Sequence, residues 1–490
     1  MPKDLTLETM QRGTVKVNQA LQHSYKELIR FYDKHAQKRD YWKEKNGYYH
    51  RLLASLIRFI IPKGSSVLEI GCGTGALLHS CAPKRGVGVD FSQEMVKLAR
   101  RNFPELEFRV RFAENLNLDE KFDYVVISDT VGNFLDVQRV FEEIHSVCTP
   151  RTRIVITYYN FLWEWLLRGA AKLGLKMPLP PQSWLTLQDI HNLLHLSGFE
   201  VIKRTYKVLI PVYIPLISNF CNRVLVNLPI FWKLGMSQIV IAKPCGQLNQ
   251  VDSSVSIVVP CKNEKGNIAA IFSRVEKLGT RTELIFVDGN SDDGTVDEIK
   301  RLARTRPDLE VSLITQQGKG KGNAVRLGFS AATGDILMIL DADLTVLPEE
   351  LPKFYSAIVT GKGEFINGCR LIYPMDDGAM RFLNTIGNKF FSRAFSYLLE
   401  QPFKDTLCGT KVLYREDYEK LAQNRSYFGE FDPFGDFDLI FGASKLNLKI
   451  VEVPVRYRSR TYGTTKISRF RHGLLLVRMC LFALRKIKFI

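Results

Sequence analysis

Two acids spaced two residues apart carry the first chemistry visible in this chain: Asp341 and Asp343, which close the apolar run Ile336 to Leu340 in GDILMILDADLT. Earlier runs, VSIVVPCKNE and ELIFVDGNSDDGT, reach Pro260 and Asp288 in the same way. Short apolar runs followed by polar, Gly-rich turns are the pattern of buried parallel strands that deliver acids to one sheet edge. Side chains at i and i+2 leave a strand on one side, so the spacing predicts that Asp341 and Asp343 face one point beyond its end. Paired carboxylates there suit a hard divalent cation, Mg²⁺ or Mn²⁺, bridging phosphates. The stretch GKGNAVRLG is Gly-rich and basic, and its Lys321 could approach a diphosphate.

A second constellation lies upstream in VLEIGCGTG, where the acid Glu69 precedes Gly71, Gly73 and Gly75 at the expected start of a helix. Glycines let a backbone approach a ligand closely and expose helix N-terminal amides. The continuation GVGVDFSQEMVKLAR puts Asp90 at the end of a second strand, FDYVVISD supplies a fourth, and RIVITYY a fifth.

The ordered set VPxxNE, VDxxSxDGT, GKGxAxxxG and DAD resembles the inverting GT-A glycosyltransferases of family two, and their polyprenyl-phosphate branch in particular, over roughly residues 252 to 470. The resemblance implies that Pro260, Glu264, Asp288, Lys321 and Asp341 bind a nucleoside-diphosphate sugar, and that Asp341 and Asp343 hold the metal. Gly289 stands where the family often carries a second acid, leaving Asp288 and Asp293 as the acids available. KDTLCGTKVLYR, FDPFGDFDLIFGASK and VPVRYRSRTYGTTK are similar to acceptor-side motifs. They nominate Asp405, Asp436 and Asp438 for positioning or base work, with ordinary helix acids equally open for the last two. In the RxxxGxxK form of Arg460, Gly463 and Lys466, two cations around a Gly turn can clamp phosphate oxygens.

Residues 30 to 243 resemble the class I S-adenosylmethionine-dependent methyltransferases, on the strength of GCGTG and the strand ending at Asp90. That resemblance implies that Glu69, Gly71, Gly73 and Gly75 line the methionine and ribose portion of S-adenosylmethionine, with Asp90 on the ribose hydroxyls. In RVRFAENLNL, Phe112 stands where the family commonly has an acid, and Glu114 is the candidate adenine contact that the resemblance leaves. WLTLQDIHNLLHLSGFEVI is similar to the family's late helix and following strand, and GMSQIVIAKP to its closing strand. His191 and His195, four apart on that helix, have no third ligand suggested nearby and are read as structural or surface residues.

The elements needed to position these groups fit a 490-residue chain of 46% hydrophobic and 24% charged residues, long enough for more than one core. The expected architecture is α/β, with two unrelated domains in tandem: residues 1–243, a polar linker 244–254, residues 255–466, and a basic tail 467–490. Nine scattered cysteines without a CxxC pair predict free thiols in a reducing compartment. The polar start MPKDLTLETMQRG predicts no secretory signal, hence a cytoplasmic protein.

Much of the formal charge of +17 is a property of the tail, since Val453 to Ile490 holds ten Lys or Arg and no acid. Arg471, Arg478 and Arg485 recur every seven residues among Leu, Val, Met and Phe, which predicts an amphipathic helix on the inner membrane face. A spanning helix needs roughly 20 predominantly apolar residues, and Arg478 interrupts the run. Cations interleaved with aliphatic residues, rather than stacking aromatics, argue against nucleic acid. The apolar run VLIPVYIPLI at 208–217 reads either as a second interfacial patch or as buried core.

The expected activity is therefore metal-dependent, inverting sugar transfer to a polyprenyl phosphate, joined to methyl transfer onto a pathway sugar or lipid. The absence of His between residues 251 and 455 favours a phosphate acceptor, because a hydroxyl nucleophile generally needs a base. The rival reading is transfer to a sugar hydroxyl in surface glycan synthesis, with the N-terminal domain a binding or scaffolding module.

Overall fold

The structure is a computed structural model that describes residues 19–178, 180, 182–246, 252–373, 382–427, 437–460, 462 and 469–489. The chain divides into two compact units, the first running to Cys245 and the second from Gly246 to Lys488.

In the first unit, seven strands form one sheet: β1 (Ser66–Ile70), β2 (Arg85–Asp90), β3 (Glu107–Val110), β4 (Phe122–Ser128), β5 (Cys148–Tyr159), β6 (Phe199–Lys207) and β7 (Ser237–Pro244). Their order is β3-β2-β1-β4-β5-β7-β6, parallel except for β7, which runs antiparallel to both neighbours. The register places Ile70 beside Val89 and Ile127, so the ends of β1, β2 and β4 lie side by side. Val67, Leu68, Val87, Val125 and Ile154 are buried, as aliphatic runs covered on both sheet faces should be. Each such side chain contributes about 1.5–3 kcal/mol.

Two helices precede this sheet, α1 (Gln19–Lys45) and α2 (Gly47–Ile60). α2 buries Tyr49, Leu53, Leu56 and Ile57 on one face, in the main core. α1 instead meets the helix Gln93–Asn102 in a small cluster of its own, Ala36 and Tyr32 against Met95 and Leu98.

The second unit holds β8 (Val255–Cys261), β9 (Thr282–Asp288), β10 (Glu310–Thr315), β11 (Ile336–Ile339), β12 (Phe365–Cys369), β13 (Lys411–Tyr414) and β14 (Ile450–Pro454). They run in the order β10-β9-β8-β11-β13-β12-β14; β13 is antiparallel to its neighbours and the other pairs are parallel. Both faces are buried: Ile257, Ile336 and Met338 enter one apolar cluster, while Val258, Leu337 and Ile339 enter another.

Two sequence expectations change here. β11 stops at Ile339, so Asp341 and Asp343 are presented by the turn that follows and not by strand alternation. The tail is not a free surface helix: helix Arg469–Ala483 buries Leu476, Met479 and Ala483 in the same cluster as Phe395 and Leu399. A π-helical turn Leu484–Lys488 follows, and Lys488 closes a 2.5 Å ion pair with Glu400. Leu474, Arg478, Leu481 and Arg485 remain exposed on the other side. Of the run 208–217, Val208 is buried whereas Val212 to Ile217 are all exposed. Among the described residues, no helix is long and apolar enough to cross a membrane.

Two candidate active sites

At the ends of β1 and β2, Gly71, Gly73 and Gly75 take φ values of +76°, +52° and +81°, the left-handed region that glycine enters without strain. A side chain at Gly71 would also collide with that of Thr130, and one at Gly75 with the Phe108 ring. The loop folds around Asp90, whose two oxygens accept the backbone N–H groups of Gly73 and Ser92, each at 2.9 Å. Burial raises this carboxyl above its usual range, against the lowering effect of those bonds.

Gly71, Gly73 and Asp90 line a cavity of about 250 Å³, whereas Glu69, Gly75 and Glu114 do not. Glu69 is buried and accepts the Leu78 N–H, bracing the helix after the loop. Glu114 accepts the Leu135 N–H, and burial raises its pKa. Phe112 stacks on Phe91 and meets Tyr25 edge-on, so the position without an acid is filled by an aromatic cluster.

The rest of the cavity comes from residues that motif reading did not single out. α1 and α2 contribute Arg39, Trp42, Lys43, Tyr49 and His50, and later segments contribute Asp129 and Lys176. α1 is latched onto the loop: the Thr74 hydroxyl donates to Asp40 at 2.7 Å, Lys43 donates to Thr74 at 3.2 Å, and the Ser92 hydroxyl donates to Asp33. Asp129 holds φ +54° and accepts the Tyr49 hydroxyl at 2.7 Å and the Thr157 hydroxyl at 3.2 Å. A non-glycine residue in that conformation stores strain of the kind found at binding sites.

The cavity is electropositive. Burial, then Lys43, Arg39 and Lys176, push His50 down to about 3, and burial pushes Lys176 down to about 8. Around the same cavity, Trp42 Nε1, Asn133 Oδ1, Lys176 Nζ and Gln182 Nε2 are buried without a hydrogen-bond partner. An unmade buried hydrogen bond costs about 1–3 kcal/mol, so four around one cavity mark a site built for a polar ligand.

In the second unit, the turn after β11 sets Asp341 2.6 Å from Lys321 and Asp343 2.5 Å from Arg460. Asp343 also accepts the Thr345 N–H and hydroxyl, while Leu344 between the two acids holds φ +55°. Burial would raise the Asp341 carboxyl, but Lys321, joined by Lys411 and Arg370, holds the group below its usual range. Lys321 opens the helix Lys321–Ala331 directly after Gly320, which holds φ +87°. Gly409 closes the group from the β13 side; a Cβ there would collide with the Asp341 carboxylate and Lys321.

The nucleotide-side residues knit neighbouring turns together. Asp288, at the end of β9 opposite Cys261, accepts the Ser291 hydroxyl at 2.5 Å and its N–H at 3.1 Å. Pro260 precedes Cys261 on β8 and is half-buried. Glu264 accepts from Asn267 at 2.7 Å, and Asp293 accepts the Lys265 N–H and the Thr295 hydroxyl. Asn263 and Asn290, beside these strand ends, are also at positive φ.

The sequence leaves Asp405 open to positioning or base work, and the structure surrounds it with ion-pair and amide partners. It is 1% exposed and forms a bidentate pair with Arg370, both bonds 2.8 Å, while accepting the N–H groups of Arg370, Leu407 and Cys408. Burial would raise its pKa, yet Arg370 holds it below the carboxylate range. The Arg370 guanidinium lies 4.9 Å from the Tyr457 ring centre. Asp438 is engaged by Arg425 at 3.2 Å and Arg326 at 3.4 Å. Asp436, Gly463 and Lys466 lie outside the described residues. No group of three or more His, Cys, Asp or Glu able to hold a metal occurs among the described residues.

Residues 256–421 match the model of Glycosyl transferase family 2, and residues 41–204 match a Methyltransferase domain. The Glycosyltransferase AglJ of Haloferax volcanii is 30% identical over 222 residues, covering 45% of this chain and 68% of that protein. A Dolichol-phosphate mannosyltransferase of Pyrococcus furiosus is 37% identical over 219 residues, covering 44% of this chain and 59% of that protein. Among solved structures, an S-adenosylmethionine-dependent methyltransferase from Mesorhizobium loti aligns over 39% of this chain and 96% of its own, at 18% identity and a TM-score of 0.30.

Proposed function

Because the chain belongs to glycosyl transferase family 2 through its C-terminal half and carries a methyltransferase domain in its N-terminal half, we propose that it performs two transfers: a sugar from a nucleoside-diphosphate sugar to a polyprenyl phosphate, with inversion, and a methyl group from S-adenosylmethionine to a sugar or lipid of the same pathway.

The observation that carries the first transfer is the pairing of Asp341 with Lys321 and of Asp343 with Arg460 beyond β11. Two hard oxygen ligands flanked by two cations suit a diphosphate, and Asp341 and Asp343 would hold Mg²⁺ or Mn²⁺ beside it. When bound, that metal neutralises charge on the departing diphosphate. Lys321 at its helix N-terminus adds a second countercharge there. Arg460, and Lys466 with it, would hold the acceptor phosphate, and Asp405 acts through Arg370 to fix the wall behind them. A phosphate nucleophile needs no base, which suits a site where Asp405 is locked in an ion pair. The name of the Pyrococcus furiosus relative, a dolichol-phosphate transferase, supports the same acceptor class.

For the second transfer, an electropositive cavity with unmet donors beside a hydroxyl-accepting acid fits an amino-acid-bearing nucleoside: Asp90 for its ribose, Arg39, Lys43 and Lys176 for its carboxylate. The protein would work peripherally on the inner membrane face, with Leu474, Arg478, Leu481 and Arg485 toward the lipid.

A panel of nucleotide sugars with short polyprenyl phosphate, free polyprenol and soluble sugars, analysed by mass spectrometry, tests the acceptor. A polyprenyl-phosphate sugar should form, and Arg460→Ala should abolish it. Equal glycosylation of polyprenol would overturn the phosphate reading. Calorimetry with S-adenosylmethionine tests the other unit, and no binding would leave it a scaffold.

A further inference from the structure

The first unit carries an exposed apolar face that neither transfer explains. Two segments build it, residues 161–175 and 212–234. In the first, Trp165 is 71% and Leu173 77% exposed; in the second, Leu216 is 85% and Ile230 83% exposed. Single exposed apolar residues are ordinary, but a concentration of this size in two segments is not. The segments are tied together: Trp163 Nε1 donates to Leu234 O at 2.8 Å, and the Asn160 amide donates to the Lys233 and Gly235 carbonyls.

The projection is built, not loose. Asn222 accepts the N–H groups of Leu209 and Ile210 and donates to the Ile210 carbonyl and the Tyr48 hydroxyl. Ser218 accepts the Ile214 N–H and donates to the Val212 carbonyl. The loop therefore satisfies these backbone groups internally while turning Val212, Tyr213, Ile214 and Leu216 outward. A loop meant for an apolar medium needs that property, because no water is there to do the same.

Charge identifies the medium. Arg168, Lys172, Arg223 and Lys233 are exposed within the two segments, and their single acid, Glu164, is paired with Arg168 at 2.7 Å. Aromatic and aliphatic tips with Lys and Arg beside them are the composition of a surface that beds into an anionic lipid interface. Leu175 and Val212 belong to this face and, with the adjoining Pro211, also line the cavity that holds Asp90 and Asp129.

We propose that this face docks the methyltransferase unit on an anionic lipid bilayer, and that its methyl acceptor is a lipid-linked molecule whose head group enters the cavity from that bilayer. The second clause rests on the methyl-transfer reading above; the docking clause does not. Because the C-terminal helix could hold the chain on a vesicle by itself, the readout must be local to this face. Full-length protein is mixed with phosphatidylglycerol vesicles bearing brominated acyl chains, and tryptophan quenching is recorded for wild type, Trp165→Phe and Leu216→Glu/Ile230→Glu.

Wild-type fluorescence should be quenched, Trp165→Phe should lose most of that change, and the double variant should need about tenfold or more lipid. Phosphatidylcholine vesicles should quench far less. Absent quenching would overturn the docking, and so would a wild-type dimer that the double variant converts to monomer, because a second copy would then cover the face. Methyl transfer is then compared between a polyprenyl-phosphate sugar in phosphatidylglycerol vesicles and the free sugar. Equal rates overturn the lipid-linked acceptor. If S-adenosylmethionine fails to bind while quenching persists, the methyl-transfer reading fails and the docking surface stands.

Discussion

Asp90 and Asp405 show how one residue type is put to opposite uses by its partners. Asp90 is held by two backbone amides beside a cavity, so its remaining lone pairs are free for a ligand. Replacing it by Ala should weaken S-adenosylmethionine binding by roughly tenfold or more, since a charged hydrogen bond is worth about 1.5–3 kcal/mol; calorimetry at constant pH checks this. Asp405 spends its lone pairs on Arg370 and three amides, so Arg370→Met should cost about 3–5 kcal/mol in denaturant unfolding by stranding a buried charge. The wild-type contribution has a definite sign with pH. Its folded pKa is depressed, so the gain is complete above the unfolded value of about 3.9 and is lost as pH falls through the folded one. In Arg370→Met that acid-side loss should disappear from the stability profile.

At the scale of elements, the strands were legible because apolar runs such as VSIVV and ILMIL are covered on both faces and have little alternative to a central sheet. The glycine loop was legible because glycine enters those backbone angles without strain, and Asp90 because it closes an apolar strand. The walls of the cavity were not, since Arg39, Tyr49, His50 and Lys176 come from helices and loops whose closeness is a tertiary outcome with no local pattern. Nor was the seat of the C-terminal helix, where leucines occur on both sides, Leu476 buried and Leu474 exposed, and only packing separates Met479 from Leu481. Met479→Ala should therefore destabilise the second unit by about 2–5 kcal/mol, seen as a lower Tm for sugar-transfer activity. Arg478→Glu, on the exposed side, should leave stability within about 0.5 kcal/mol and weaken binding to anionic vesicles. Equal Tm losses for the two variants would contradict this division of faces.

At the scale of the whole molecule, the two sets of site residues fall in separate compact units with separate cores. Asp343→Asn should abolish sugar transfer while leaving the dissociation constant of S-adenosylmethionine unchanged, and Asp90→Ala should do the reverse. Additivity is expected because the sites share no side chain. Simultaneous loss of both activities in either single variant would mean that the units communicate.

The latch of α1 on the glycine loop has a kinetic side. Asp40 and Lys43 grip Thr74, and Asp33 grips Ser92, on a helix whose own apolar anchorage is a small cluster around Ala36. A nucleoside seated beneath that helix leaves only when the grip opens, so residence time is governed by local unfolding more than by contact strength. Thr74→Val removes the Asp40 and Lys43 half of the grip at a residue that does not itself line the cavity. It should speed cofactor exchange in stopped-flow displacement by about fivefold or more, in both directions, while the equilibrium affinity moves far less.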